Sequence, residues 1–190
     1  MLDHITPLFS PLAALQNLLS RFDDRGIIIG GIAASLLGTP RLTADLDAML
    51  LLSFDELPQL MQAAKDEGLV PRIQDAEGFA RKHRVLLLCH VESGTNIDIS
   101  LGILPFEEEA VERSIVYQVS SLRLRLPTPE DLIIFKAVAH RPKDLLDIQA
   151  IVQNNLILDH KRIESWVRQF ADALEMPELW QDISGFFMNI

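Results

Sequence analysis

The chain has 190 residues, 48% of them apolar and 23% charged, which suits one large domain or two small ones and excludes a disordered chain. A net charge of −10 excludes binding to nucleic acid by bulk electrostatics, so contact with RNA would need a local basic patch. The single cysteine, Cys89, excludes an internal disulfide and fits a reducing compartment. The N-terminal stretch lacks the basic and apolar regions of a signal peptide, and no apolar run approaches the roughly 20 residues of a membrane helix. The expected location is the cytoplasm.

Residues 11–22 put Leu12, Leu15, Leu18, Leu19 and Phe22 at helical spacing, and Asp23 to Gly26 end that helix. Ile27, Ile28 and Ile29 are β-branched and predict a short buried strand. Gly30 and Gly31 predict a turn, residues 32–38 a short helix closed by Gly38, and residues 42–52 a second strand after a loop at Thr39 and Pro40. Ser53 and Glu56 form a capping-box pattern at the start of a helix that Gly68 ends. Residues 84–102 read as a hairpin turning at Ser93–Gly94, Glu107 to Glu109 as a solvated helix start, and residues 114–126 as two more short strands.

The character changes at Pro127. Thr128 is placed as an N-cap, with Pro129 at the first helical position and Asp131 completing a capping box. A helix over 141–155 follows, with Pro142 near its start. The next helix, over 159–174, has Ile163, Trp166, Val167, Phe170 and Leu174 on one face. A short helix ends the chain. The expected organisation is an α/β domain over residues 1–126, a mixed sheet flanked by helices, followed by a helical C-terminal part over 127–190.

Two aspartates interrupt the second strand. Side chains alternate along a strand, so Asp45, Asp47, Met49 and Leu51 share one face, and Leu46, Ala48 and Leu50 the other. A later strand repeats the pattern, with Asn96, Asp98 and Ser100 on one face and Ile97, Ile99 and Leu101 on the other. If these strands are neighbours, three carboxylates converge on one sheet face. Burying such a cluster unpaired is costly, and a divalent cation, Mg²⁺ or Mn²⁺, relieves it. Two such ions about 3.5–4 Å apart stabilise the attacking and leaving oxygens of a phosphoryl displacement. Gly30 and Gly31, between a strand and a helix N-terminus, let backbone N–H groups approach a phosphate.

These residues resemble the DNA polymerase beta-like nucleotidyltransferase superfamily. Its mark is Gly-Gly or Gly-Ser, a short helix, Asp-x-Asp, and a third acidic residue on a later strand. Here those are Gly30–Gly31, Asp45-Leu46-Asp47 and Asp98. The run from Arg41 through Thr43 to Asp47 is similar to small bacterial members, many of them nucleotidyltransferase toxins of the abortive-infection, type IV toxin–antitoxin class. In that group a helical segment follows with a Lys and then a Lys-Asp pair, matched here by Lys136, Lys143 and Asp144. The resemblance covers roughly residues 25–150.

The resemblance implies transfer of a nucleoside monophosphate from an NTP to an acceptor hydroxyl of a tRNA, a protein or a small molecule, with release of pyrophosphate. It implies that Asp45, Asp47 and Asp98 hold the metals and that Asp98 is the base. It further implies that Lys136 neutralises the triphosphate, that Arg41 and Thr43 contact phosphate or fix the loop, and that an antitoxin protein is a possible partner. Many members carry Ser where Gly31 stands, so this chain relies there on backbone alone. Other readings stay open. Lys136 is alternatively a surface lysine with a snorkelling stem. Lys143 and Asp144 are alternatively a first-turn pair on a helix, and Asp147 reads as structural. The competing function is a non-catalytic nucleotide- or partner-binding module on the same fold.

Overall fold

The computed structural model describes residues 6–188. Helix α1 (Phe9–Ser20) leads into strand β1 (Gly26–Ile29), helix α2 (Gly30–Leu37) and strand β2 (Leu46–Leu51). A 3₁₀ turn over Phe54–Glu56 opens α3 (Leu57–Asp66), followed by β3 (Leu69–Pro71), α4 (Ala76–His83), β4 (Val85–His90), β5 (Asn96–Gly102) and α5 (Pro105–Glu112). Strands β6 (Ile115–Val119) and β7 (Leu122–Leu126) precede helices α6 (Pro129–Ala139), α7 (Pro142–Asn154), α8 (His160–Leu174) and α9 (Glu178–Ser184).

Strands β1 to β5 form one mixed sheet in the order β1-β2-β5-β4-β3, and β6 and β7 form a separate antiparallel pair. Strands β2 and β5 are parallel neighbours and the other pairings are antiparallel. The alternation read from the sequence marks the main core face, although Met49, on the face of Asp47, is fully buried as well. Leu46, Ala48, Leu50, Ile97 and Ile99 are fully buried, and Leu101 nearly so. Full burial of a Leu or Ile contributes about 1.5–3 kcal/mol, so these two central strands fix their own register. Helix α1 packs on β1 and β7, and α2 packs on β1, β2, α6 and α7.

The helical segment packs on α5 through aromatic contacts. Phe106 of α5 meets Phe135 of α6 at 4.9 Å, Trp166 of α8 at 5.3 Å and Phe170 of α8 at 5.6 Å between ring centroids. Such pairs add about 0.5–1.5 kcal/mol each beyond area burial. Buried side chains from α1 to α9 form one continuous cluster.

Several local expectations change. Gly30 and Gly31 are the first residues of α2 and not a turn before it. The second strand begins at Leu46, leaving Asp45 in the loop before it. The Ser53–Glu56 cap forms, with the Ser53 N–H donating to Glu56 Oε2 at 3.1 Å. Arg25 and that cap hold the Glu56 carboxyl down to about 2. Thr128 caps α6 as expected, its Oγ1 accepting from the Asp131 N–H at 3.3 Å. The Asp131 carboxylate, however, turns to Arg162 at 2.7 Å and Arg113 at 3.3 Å, because its complete burial demands cationic partners. Strand β3 and helix α4 are additions to the sequence reading.

Candidate active site

The site forms where the N-terminal ends of β2 and β5 meet the start of α2. Asp47 and Asp98 are direct partners across the parallel β2–β5 pair, and Ile29, the residue before Gly30, is the partner of Asp47 on the other side. Gly30 has φ +64, and a Cβ there would lie 1.9 Å from Asp47 Oδ2. The chain passes under Asp47 so closely that only glycine fits. Gly31 is packed likewise: its Cβ would lie 2.5 Å from Thr43 Oγ1. Thr43 Oγ1 also donates to the Asp45 carbonyl at 3.2 Å, so it fixes the loop that enters β2.

The three aspartates differ. Asp47 is half-buried and Asp45 is exposed. Burial pushes the Asp98 carboxyl above the usual carboxylate range. Arg72 opposes that shift, and the nearby charges of Asp47 and Asp45 reinforce it. Arg72 Nη2 donates to Asp98 Oδ1 at 2.7 Å. Among the described residues, no three His, Cys, Asp or Glu side chains gather as a ready metal cage. The structure therefore pairs Asp47 with Asp98 and leaves Asp45 beside them on its loop. The donor set still fits a divalent cation: hard carboxylate oxygens, with Asp47 and Asp45 close enough to act electrostatically on Asp98.

A cleft of about 200 Å³ opens beside Asp47. Gly30, Ser100, Phe135, Lys136, Arg141 and Asp144 help to line it. Lys136 is not the surface lysine of the alternative sequence reading. It is 4% exposed, and its Nζ donates to Asp147 at 2.7 Å and Asp144 at 3.1 Å. Arg41 forks onto both oxygens of Asp147 at 2.7 and 2.8 Å, which ties the loop before β2 to α7. Arg141 binds Asp144 at 2.6 Å, while Lys143 is exposed. Asp144 also accepts from the Arg141 N–H at the start of α7. Three cations face two carboxylates, so the network presents one net positive charge beside the cleft.

This network makes stability pH-dependent. Burial alone would raise Asp144 and Asp147. Arg141 and Lys136 outweigh it at Asp144, and Arg41 and Lys136 at Asp147, so both carboxyls sit below the usual range. Carboxyls depressed by folding stabilise the protein above the unfolded-chain value of about 3.9 and lose that effect as pH falls through the folded values. Urea unfolding is expected to give a nearly constant free energy between about pH 6 and 5 and a steep fall below about pH 4. The fall becomes shallower in Asp147→Asn; an unchanged slope in that variant counts against the network.

The model of the family described as nucleotidyltransferase of unknown function (DUF6036) matches residues 6–175. The chain belongs to this nucleotidyltransferase family. That fits the polymerase beta-like superfamily to which its Gly-Gly and Asp-x-Asp residues pointed. No match is found among curated proteins. Among solved structures, the DUF6036 chain shares its fold with an antigenic nucleotidyltransferase-like protein from Paracoccidioides brasiliensis. The TM-score is 0.54 at 14% identity, over 95% of this chain and 96% of that one. The antibiotic-resistance factor ANT(2'')-Ia aligns with a TM-score of 0.49 at 16% identity, over 93% of this chain and 91% of that one.

Sequence reasoning missed Arg72 in this DUF6036 site. It lies 26 residues before Asp98 and just past a three-residue strand, and nothing in its neighbourhood in the chain marks it. Only the order β5-β4-β3 brings it near.

Proposed function

We propose that this protein is a divalent-cation-dependent nucleotidyltransferase that moves a nucleoside monophosphate from an NTP to an acceptor hydroxyl and releases pyrophosphate. The observation that carries this reading is the register of Asp47 against Asp98, with Gly30 packed beneath Asp47 at the start of α2. Asp47 and Asp98, with Asp45 on the adjoining loop, would hold Mg²⁺ or Mn²⁺. When bound, the cation would neutralise triphosphate charge and acidify the acceptor hydroxyl.

The chain's own residues do the remaining work. The N–H groups at the start of α2 take phosphate oxygens, because no side chain at Gly30 or Gly31 blocks their approach. The net positive charge around Lys136 favours the polyphosphate in the cleft. Asp98, whose carboxyl is raised by burial, takes the proton from the acceptor hydroxyl. The hydroxyl oxygen attacks the α-phosphorus, and the bond from that phosphorus to the bridging oxygen breaks to release pyrophosphate.

The test is transfer of label from each of the four α-³²P-labelled NTPs, with Mg²⁺, into a whole-cell extract, wild type beside Asp47→Asn. Label only with the wild type is expected, and the size of the labelled species reads the acceptor as tRNA, protein or small molecule. Growth arrest by wild type and not by Asp47→Asn, relieved by a co-expressed protein, extends the reading to a toxin with its antitoxin. NTP binding with no transfer to any acceptor overturns catalysis and favours the nucleotide-binding module.

A further inference from the structure

A single row of residues crosses the whole sheet through the site. Ile29 of β1 is opposite Asp47, Asp47 is opposite Asp98, and Asp98 is opposite Leu87 of β4. The Arg72 N–H, just past β3, donates to the Leu87 carbonyl at 3.2 Å. Helix α2 adjoins one end of this row and Arg72 stands at the other. Its guanidinium reaches back past β4 to Asp98.

We propose that Arg72 is the resting counter-ion of the site. It neutralises Asp98 until a divalent cation binds, and it must leave Asp98 for that binding to occur. The proposal rests on the catalytic reading above. Among the described residues, Arg72 is the cation in contact with Asp98, while Lys136, Arg41 and Arg141 are committed to Asp144 and Asp147. A guanidinium and a divalent cation repel strongly at one carboxylate. The pair can exchange: it is a single hydrogen bond between side chains 27% and 36% exposed, and such partly solvated pairs are weak. The swing needs only the side chain, which is partly solvated, while the Arg72 N–H stays on the Leu87 carbonyl.

This makes Arg72 a positioning residue whose removal strengthens cation binding. The full chain is titrated with Mn²⁺ alone, with free Mn²⁺ read by electron paramagnetic resonance, as wild type, Arg72→Ala, Arg72→Lys and Asp98→Asn. Arg72→Ala is expected to bind Mn²⁺ about tenfold more tightly than wild type, since a neighbouring charge shifts a carboxylate equilibrium by that order. Arg72→Lys, which keeps the charge, stays near wild type, and Asp98→Asn loses binding. Equal or weaker Mn²⁺ binding by Arg72→Ala overturns the proposal. If Asp98→Asn abolishes binding while Arg72→Ala matches wild type, the counter-ion role alone falls. If neither wild type nor Arg72→Ala binds Mn²⁺, the catalytic reading falls with it. A melting curve for Arg72→Ala close to that of wild type establishes that the variant is folded.

Discussion

Lys136→Met is expected to destabilise the protein by about 3–5 kcal/mol, as removal of one partner from a buried ion pair does. A domain of ordinary stability has roughly 5–15 kcal/mol in all. The same change corresponds to a melting temperature roughly 10 °C lower. The reason is geometric. Asp144 is fully buried and Asp147 nearly so, and both depend on one ammonium group. Methionine fills the space but leaves two buried carboxylates without their shared ammonium group, with only the more exposed Arg41 and Arg141 to hold them. Urea unfolding at pH 7 is the measurement. The control is the triple variant Lys136→Met, Asp144→Asn, Asp147→Asn, in which no buried charge is stranded. It is expected to recover most of the loss, because replacing a whole buried ionic group is often close to neutral. A single variant within about 1 kcal/mol of wild type would show that the network is not what holds α6 against α7.

Gly30→Ala is expected to silence nucleotidyl transfer as fully as Asp47→Asn does, a loss of at least about 100-fold, the scale on which small misplacements act. Two effects combine. The left-handed backbone at Gly30 costs an L-residue about 1–2 kcal/mol. The new methyl group would also sit 2.6 Å from Asp47 Cβ, so Asp47 must move off its register with Asp98. Gly94→Ala separates the two. Gly94 has a similar φ of +69, but nothing lies within 4 Å of its Cβ position. That variant carries the backbone strain without the clash, and its transfer activity is expected to match wild type. Equal damage in both variants would assign the effect to stability and not to the fit beneath Asp47.

Much of this site is legible in the sequence because strand alternation is a strict rule. Ile97 and Ile99 declare the buried face, which leaves Asp98 on the other, and Leu46, Ala48 and Leu50 do the same for Asp47. Asp45 breaks the pattern because strand pairing starts one residue later, at Leu46. Lys136 is harder to read: a lysine in an apolar helix face is compatible with a surface stem or a buried pair. What decides between them is Asp144 and Asp147, one helix further on. Helix α4 hides for a different reason, since its buried face consists only of Ala76 and Ala80 among charged neighbours. Arg72 is invisible without strand order, and strand order is set by packing across the sheet.

The fork of Arg41 onto Asp147 joins residues 106 positions apart in the chain. During synthesis the ribosome delivers Gly30, Asp47 and Asp98 long before it delivers α7. The sheet can pair at that stage, and Ser35 and Thr43 can hold the loop before β2 locally, but its tie to α7 waits until Asp147 has emerged. Such distant contacts form late, after the loop closures that bring their partners together. The tie between the loop before β2 and α7 therefore closes only after the strands that carry Asp47 and Asp98 have been made.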